Sequence, residues 1–213
     1  MPLLVTIGAT QEPLDAMRIL SNRSTGELGT RLALTLADFG HRVIALRSTG
    51  ATADPSLLRE RGIEILPFTT TEELRSLLEQ TAKSQKVDAI FHTAAVSDFY
   101  LPGAGVGKIP TGHGPLTLTL EPTPKILPLL RGWFPEAQII GWKFEASGDR
   151  AAALSAARSQ IIKSHTDACV LNGPSYGEGF GFIEKSGELQ HLPDRPALCA
   201  FLGEKIGSHF SQS

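Results

Sequence analysis

The sequence predicts an α/β fold, a doubly wound and mostly parallel sheet flanked by helices. Short apolar runs recur at Leu3–Ile7, Arg42–Leu46, Ile63–Pro67, Asp88–Ala94, Gln138–Lys143 and Asp167–Leu171. Unbroken apolar character is what a strand covered on both faces needs. Between several of these runs lie stretches with helical spacing, so the strands must be joined by right-handed crossovers. Together these features describe a Rossmann-like sheet.

Taken in order, Leu3–Ile7 opens the sheet and ends at Gly8. A helix follows over Leu28–Phe39, with Leu28, Leu32, Leu36 and Phe39 on one stripe and Gly40 as its stop. Arg42–Leu46 is the second strand and Ile63–Pro67 the third. The next helix, Thr71–Lys83, opens on Thr71, Glu72 and Glu73, and Asp88–Ala94 (DAIFHTA) is a further buried strand. From Leu101 to His113 glycine and proline predict a mobile loop. Leu116–Leu120 (LTLTL) alternates strictly, which predicts a half-exposed antiparallel strand. A short helix over Lys125–Leu130 precedes strand Gln138–Lys143. An alanine-rich helix spans Asp149–Ser164, followed by strand Asp167–Leu171. Phe180–Lys185 and Glu188–Leu192 form a hairpin around Ser186–Gly187, and Pro196–Phe210 closes the chain as a helix. No repeat or linker divides residues 1–213, so a single domain is expected, with residues 101–121 forming a small antiparallel flap.

Composition narrows the function. A net charge of −2 argues against a broad nucleic-acid or anionic-membrane surface. No apolar run approaches a membrane span, and the amino terminus lacks a basic, leader-like region, so a soluble cytoplasmic protein is expected. Cys169 and Cys199 lie in apolar stretches (DACVLN and ALCAFL) and read as small buried hydrophobes rather than metal ligands or a disulfide framework.

In a doubly wound sheet, ligands bind beyond the carboxyl ends of the strands, and four such places stand out. The connection Gly8–Gly29 (GATQEPLDAMRILSNRSTGELG) is far longer than the two to six residues a strand-to-helix turn takes. Its glycines, Gly26 and Gly29, open a helix where backbone N–H groups can approach phosphate oxygens; as an alternative, they merely make turns. Arg18, Asn22 and Arg23 lie within it. Ala94–Asp98 (AAVSD) is small enough for a ligand to lie on the backbone, while Asp98 either holds a hydroxyl or amide or caps a turn. Lys108 sits in GVGKIPTGHG, either solvated or held ready for a developing charge. Finally, GWKFE (141–145) and LNG (171–173) offer Trp142, a stacking surface or a core residue, and Asn172, a base-edge reader or an Asx turn.

Read together, VTIGATQEPLDAMRILSNRSTGELG, HTAAVSDFY, GKIP, LTLTLEPTPKIL, IIGWKFEA and VLN…GFGFI resemble the phosphopantothenate–cysteine ligase family over nearly the whole chain. The resemblance implies a two-step reaction. A nucleoside triphosphate gives its nucleotidyl group to the carboxylate of 4′-phosphopantothenate, and cysteine then displaces the nucleoside monophosphate to form an amide. It implies that Gly8, Ser24, Gly26 and Gly29 cradle the nucleotide phosphates, with Trp142 and Asn172 near base or ribose. It implies that Asn22, Ala94, Ala95 and Asp98 contact the acid or its acyl intermediate, with Asn22 needed for amide formation and Lys108 stabilising the charged intermediate. Arg18 is expected to grip the substrate phosphate across a homodimer interface, which LTLTL and its flanks help to build. Magnesium arrives with the triphosphate and no flavin is implied, because the chain begins at the ligase's first strand. Gly8-Ala9-Thr10 stands where the family often has Gly-Gly-Thr, and Lys108-Ile109 leads into Pro110. The alanine-rich helix offers Arg158, Gln160 and Lys163 where CTP users carry two lysines, and GWKFEA is closer to an ATP-using form. CTP and ATP therefore both stay open.

Two rival readings share this fold. A short-chain NAD(P)-dependent oxidoreductase would need a Tyr-x-x-x-Lys pair, which neither Tyr100 nor Tyr176 supplies, although Arg47 suits a 2′-phosphate. A non-catalytic nucleotide-binding protein would bind nucleotide without turnover.

Overall fold

The first strand of the computed structural model, β1 (Pro2–Ile7), alternates its buried side chains between two apolar layers, and that double burial organises the whole sheet. The structure describes every residue except 105, 106, 111, 113 and 211–213. In chain order the elements are β1, β2 (Gln11–Pro13), β3 (Ile19–Ser21), α1 (Glu27–Asp38), β4 (Arg42–Ser48), α2 (Ser56–Glu60), β5 (Glu64–Phe68), α3 (Thr71–Ser84) and β6 (Ala89–His92). Then follow β7 (Phe99–Tyr100), β8 (Glu121–Pro122), α4 (Leu127–Trp133), β9 (Gln138–Phe144), α5 (Arg150–Ser164), β10 (Ala168–Asn172), β11 (Phe180–Glu184), β12 (Leu189–Leu192) and α6 (Arg195–Phe210).

Among the described residues, eight strands form one sheet in the order β12-β11-β10-β9-β6-β1-β4-β5. The pairs from β5 through β10 are parallel and the β10-β11-β12 end is antiparallel. The order reverses between β1 and β6, which places the topological switch, and hence the ligand crevice, at their carboxyl ends. Leu3, Val5 and Ile7 pack with Leu32 and Leu36 of α1 and with Leu198, Leu202 and Ile206 of α6. Leu4 packs on the opposite side with Leu74 and Leu78 of α3, Leu130 of α4 and Ile139 of β9. Each such leucine, fully buried, stabilises the fold by roughly 2 kcal/mol. Cys199 is buried in the first of these layers and Cys169 among Ala157 and Ile161 of α5, and burial pushes their thiols up to about 11 and about 12, so both behave as hydrophobes.

The helix α3 begins where its sequence says it should. Thr70 accepts the Glu73 N–H at 3.2 Å while Glu73 Oε2 accepts the Thr70 N–H at 3.3 Å, a reciprocal capping box. Asp149 caps α5 in the simpler way, through the Ala152 N–H at 2.8 Å.

Two sequence expectations are corrected. Leu116–Leu120 is not a strand: the antiparallel pairing next to it is confined to Phe99–Tyr100 with Glu121–Pro122. Alternation supplies two faces, but a strand also needs a backbone partner, and LTLTL has no ladder among the described residues. The short helix starts at Leu127, after Lys125 has turned to Asp98. Within the long connection Gly8–Gly29, Gln11–Pro13 pairs with Ile19–Ser21 as a small antiparallel hairpin. The loop expected over 101–113 lies partly outside the described residues, at 105, 106, 111 and 113.

Candidate active site

Beyond β1 the chain turns at Gly8 with φ +91°, and a Cβ there would lie 2.9 Å from the Cβ atoms of both Ser48 and Ala51. Gly26, with φ +78°, caps α1; its Cβ would meet Ala51 Cβ and Ile7 Cγ2 at 3.0 Å and Gly8 Cα at 3.5 Å. A Cβ on Gly29 would sit 2.6 Å from Thr93 Oγ1 and 3.0 Å from Ile7 Cγ1. The three glycines therefore bring the end of β1 and the start of α1 into backbone contact. The N-cap residue Gly26 has no side chain, and the Glu27 N–H donates to Thr25 Oγ1 at 3.3 Å, while the positive end of the helix suits an anion. Ser24, partly buried, lies on the approach to this turn, where its N–H donates to Asn22 O at 3.1 Å.

Ala94 and Ala95 border the cradle. Pairing of β1 with β6 continues past the strand ends: Ala95 N–H donates to Gly8 O at 2.9 Å and Thr10 N–H to Ala95 O at 3.2 Å. Ala94 N–H donates to Thr6 Oγ1 at 3.1 Å, and the same hydroxyl is bonded to His92 Nδ1 at 3.0 Å. Burial pushes the His92 imidazole down to about 4 from its ordinary 6.5. Ser97 N–H donates to Thr10 Oγ1 at 2.8 Å. Asn22 reaches this rim directly, donating from Nδ2 to Val96 O at 3.0 Å. Asp98 is exposed and ion-paired with Lys125, a partner that sequence reasoning missed, and among the described residues its carboxylate accepts no backbone N–H.

The β2–β3 hairpin carries Arg18, and here too the decisive partner was not foreseen. Asp15, whose side chain is 2% exposed, accepts from Met17 N–H at 2.8 Å and Arg18 N–H at 2.7 Å through one oxygen. Its other oxygen accepts Arg18 Nη1 at 2.6 Å and Ile109 N–H at 3.0 Å. Those bonds, foremost the one from Met17, hold its carboxyl below the ordinary 3.8 despite burial. Ile109 is the neighbour of Lys108, whose exposed side chain thus springs from a segment bound to the hairpin. The hairpin's root is fixed by Glu12, 5% exposed, which accepts both the N–H (2.9 Å) and hydroxyl (2.6 Å) of Thr71 at the start of α3.

Trp142 and Asn172 lie one strand further over. Trp142 is half-buried against the α1–α6 layer, and its buried indole Nε1 has no protein partner among the described residues. Asn172 sits opposite Phe144 in the β9–β10 register. On α5, Gln160 is turned inward to Trp142 O at 3.3 Å, whereas Arg158 and Lys163 are exposed. Arg47 spends its guanidinium on Ala51 O (2.7 Å) and Ala53 O (2.5 Å), bracing the loop beside Gly8 and Gly26, so it is not free for a 2′-phosphate. Such bonds join residues far apart in the chain and leave no local pattern to read.

The chain matches the model of the DNA/pantothenate metabolism flavoprotein C-terminal domain over residues 1–194. A coenzyme A biosynthesis bifunctional protein CoaBC of Thermococcus kodakarensis is 36% identical over 170 residues, covering 80% of this chain and 40% of that protein. A phosphopantothenate–cysteine ligase of Homo sapiens is 29% identical over 234 residues, covering 85% of this chain and 75% of that one. The crystal structure of the DNA/pantothenate metabolism flavoprotein from Streptococcus pneumoniae has a TM-score of 0.84 at 25% identity, covering 98% of this chain and 99% of that one. The chain spans less than half the length of the bifunctional relatives it matches, 40% and 45% for two of them. The match runs through the sheet, the hairpin and the glycine cradle alike, and the chain belongs to the DNA/pantothenate metabolism flavoprotein C-terminal domain family, among relatives that include phosphopantothenate–cysteine ligases.

Proposed function

We propose that this chain joins 4′-phosphopantothenate to cysteine at the expense of a nucleoside triphosphate, CTP or ATP, within coenzyme A biosynthesis. In the first step the carboxylate oxygen attacks the α-phosphorus and pyrophosphate leaves. In the second, the cysteine amine attacks the acyl carbon and the nucleoside monophosphate leaves. A carboxylate is a poor electrophile, and the nucleotidyl group makes it a good one. One observation carries this reading: the glycine cradle and the Ala94–Asp98 rim adjoin, with the Ala95 N–H donating to Gly8 O at 2.9 Å, and the connection from Gly8 to Gly26 is hydrogen-bonded to the rim through Asn22. Two anionic substrates held on cradle and rim would react as if intramolecular.

In this reading the backbone at Gly8, Ser24, Gly26 and Gly29 receives the triphosphate, with Trp142 and Asn172 towards base and ribose. Ala94, Ala95 and Asp98 line the acid's place, Asn22 supports amide formation, and Lys108 meets the charge that develops on the acyl nucleotide. Magnesium enters as part of the nucleotide substrate. Pyrophosphate release with 4′-phosphopantothenate, cysteine and either triphosphate tests the proposal and chooses the nucleotide. Binding without pyrophosphate release, with both triphosphates, would point instead to a non-catalytic nucleotide-binding protein. Lys108→Ala should lower kcat roughly 10²–10³-fold.

The same proposal includes a two-fold dimer in which Arg18 serves the neighbouring site. Met17, Ile19, Phe99 and Leu116 are exposed on the hairpin and flap, and LTLTL is an alternating segment without a ladder partner among the described residues. Sedimentation at micromolar concentration should give a dimer; a monomer refutes this part.

A further inference from the structure

Asp15 is more than a turn residue. A carboxylate that closes an Asx turn needs one oxygen, and Oδ1 does this by accepting the Met17 and Arg18 N–H groups. Asparagine would serve that turn equally well. Oδ2 has no part in it. It takes Arg18 Nη1 at 2.6 Å and the N–H of Ile109, 94 residues away, at 3.0 Å. Two further bonds run between the same segments: Ala16 N–H to Gly107 O at 3.0 Å, and Arg18 Nη1 to Ile109 O at 3.4 Å. The peptide groups on both sides of Lys108 are therefore tied to the turn that holds Arg18, and the Lys108 side chain projects between two fixed points.

We infer that Asp15 is a positioning residue that sets Arg18 and Lys108 in register with each other through its second carboxylate oxygen. This rests on the ligase reading above, in which Arg18 grips the substrate phosphate and Lys108 meets the developing charge. Asp15 touches no substrate. With Nη1 engaged by Asp15, the guanidinium has its remaining N–H groups to offer an anion, in a fork whose orientation is set rather than free. One buried carboxylate thereby fixes a binding group and a charge-stabilising group at once.

Asp15→Asn is the sharp test. It keeps Oδ1 for the turn and puts an NH₂ where two donors point. In pyrophosphate-release kinetics on the full chain it should lower kcat roughly 10–100-fold, as misplacement by about 1 Å does, and raise KM for 4′-phosphopantothenate. In a cycle with Lys108→Ala, the double variant should keep the kcat of Lys108→Ala alone, because the lysine that Asp15 places is already gone, while its KM for 4′-phosphopantothenate still rises through Arg18. Wild-type kinetics in Asp15→Asn, or kcat losses that multiply in the double variant, overturn the inference. Should Asp15→Asn lose its melting transition, Ile109→Pro removes the amide that Oδ2 takes and leaves Asp15 and its turn unsubstituted. It should show the same fall in kcat, and an unchanged rate overturns the inference. Amide exchange at Ile109 separates this idea from the ligase reading. If the wild type releases no pyrophosphate, the ligase reading fails, while faster Ile109 exchange in Asp15→Asn still upholds the anchor and unchanged exchange refutes it.

Discussion

Acid should destabilise the fold through His92. The imidazole is buried and bonded to the Thr6 hydroxyl, which also receives the Ala94 N–H, and in that setting the neutral ring is favoured in the folded chain. The folded-state value is depressed to about 4 while the unfolded chain retains about 6.5. Between these values the unfolded state binds the extra proton, so stability rises with pH across that window. The contribution is complete above about pH 6.5 and is lost progressively as pH falls towards 4. At about 1.4 kcal/mol per pH unit the interval amounts to about 3 kcal/mol. Urea unfolding at a series of pH values, for the wild type and His92→Gln, measures it. Gln cannot titrate, so the wild type should lose up to about 3 kcal/mol more than the variant between pH 7 and 4. Other carboxyls titrate alike in both proteins and cancel. Parallel pH curves would refute the reasoning.

Gly29→Ala forces a methyl to 2.6 Å from Thr93 Oγ1 and should cost about 1–3 kcal/mol by urea unfolding, with a raised KM for the nucleotide. Glu12→Ala strips the acceptor from the Thr71 N–H and hydroxyl and should cost about 1–3 kcal/mol, whereas Glu12→Gln, which keeps a carbonyl oxygen, should cost less. Neither cysteine should react with a thiol reagent at pH 8 until the chain is unfolded, because burial holds both thiols protonated.

Where a signal was local, the sequence was legible. The apolar runs of β1, β4, β6, β9 and β10 and the leucine stripe of α1 fell within a few residues of their observed bounds, because double burial and helical spacing write themselves into neighbouring positions. The hairpin's strands, of three residues each, and the five-residue α2 are too short to carry a period. LTLTL misled for the opposite reason: its period is right, but pairing is a relation between segments that no single segment encodes. The site divides in the same way. Gly26 and Gly29 could be picked out as small residues at the start of a helix, and Gly8 through the family resemblance. Asp15, Glu12 and Arg47 look like ordinary loop and strand residues until folding brings Ile109, Thr71 and the 51–53 carbonyls to them.

The closing helix α6 reaches further than its place at the end of the chain suggests. Leu198, Leu202 and Ile206 lie against the inner stripe of α1, Gly203 gives room to the Phe39 ring, and Arg195 ties to Glu27 at the first turn of α1. Trimming the chain before residue 195 would therefore uncover the back of the helix at whose start the proposed triphosphate site lies. Under that proposal nucleotide affinity should then fall although every residue of the cradle remained, making this remote helix a buttress of the proposed site.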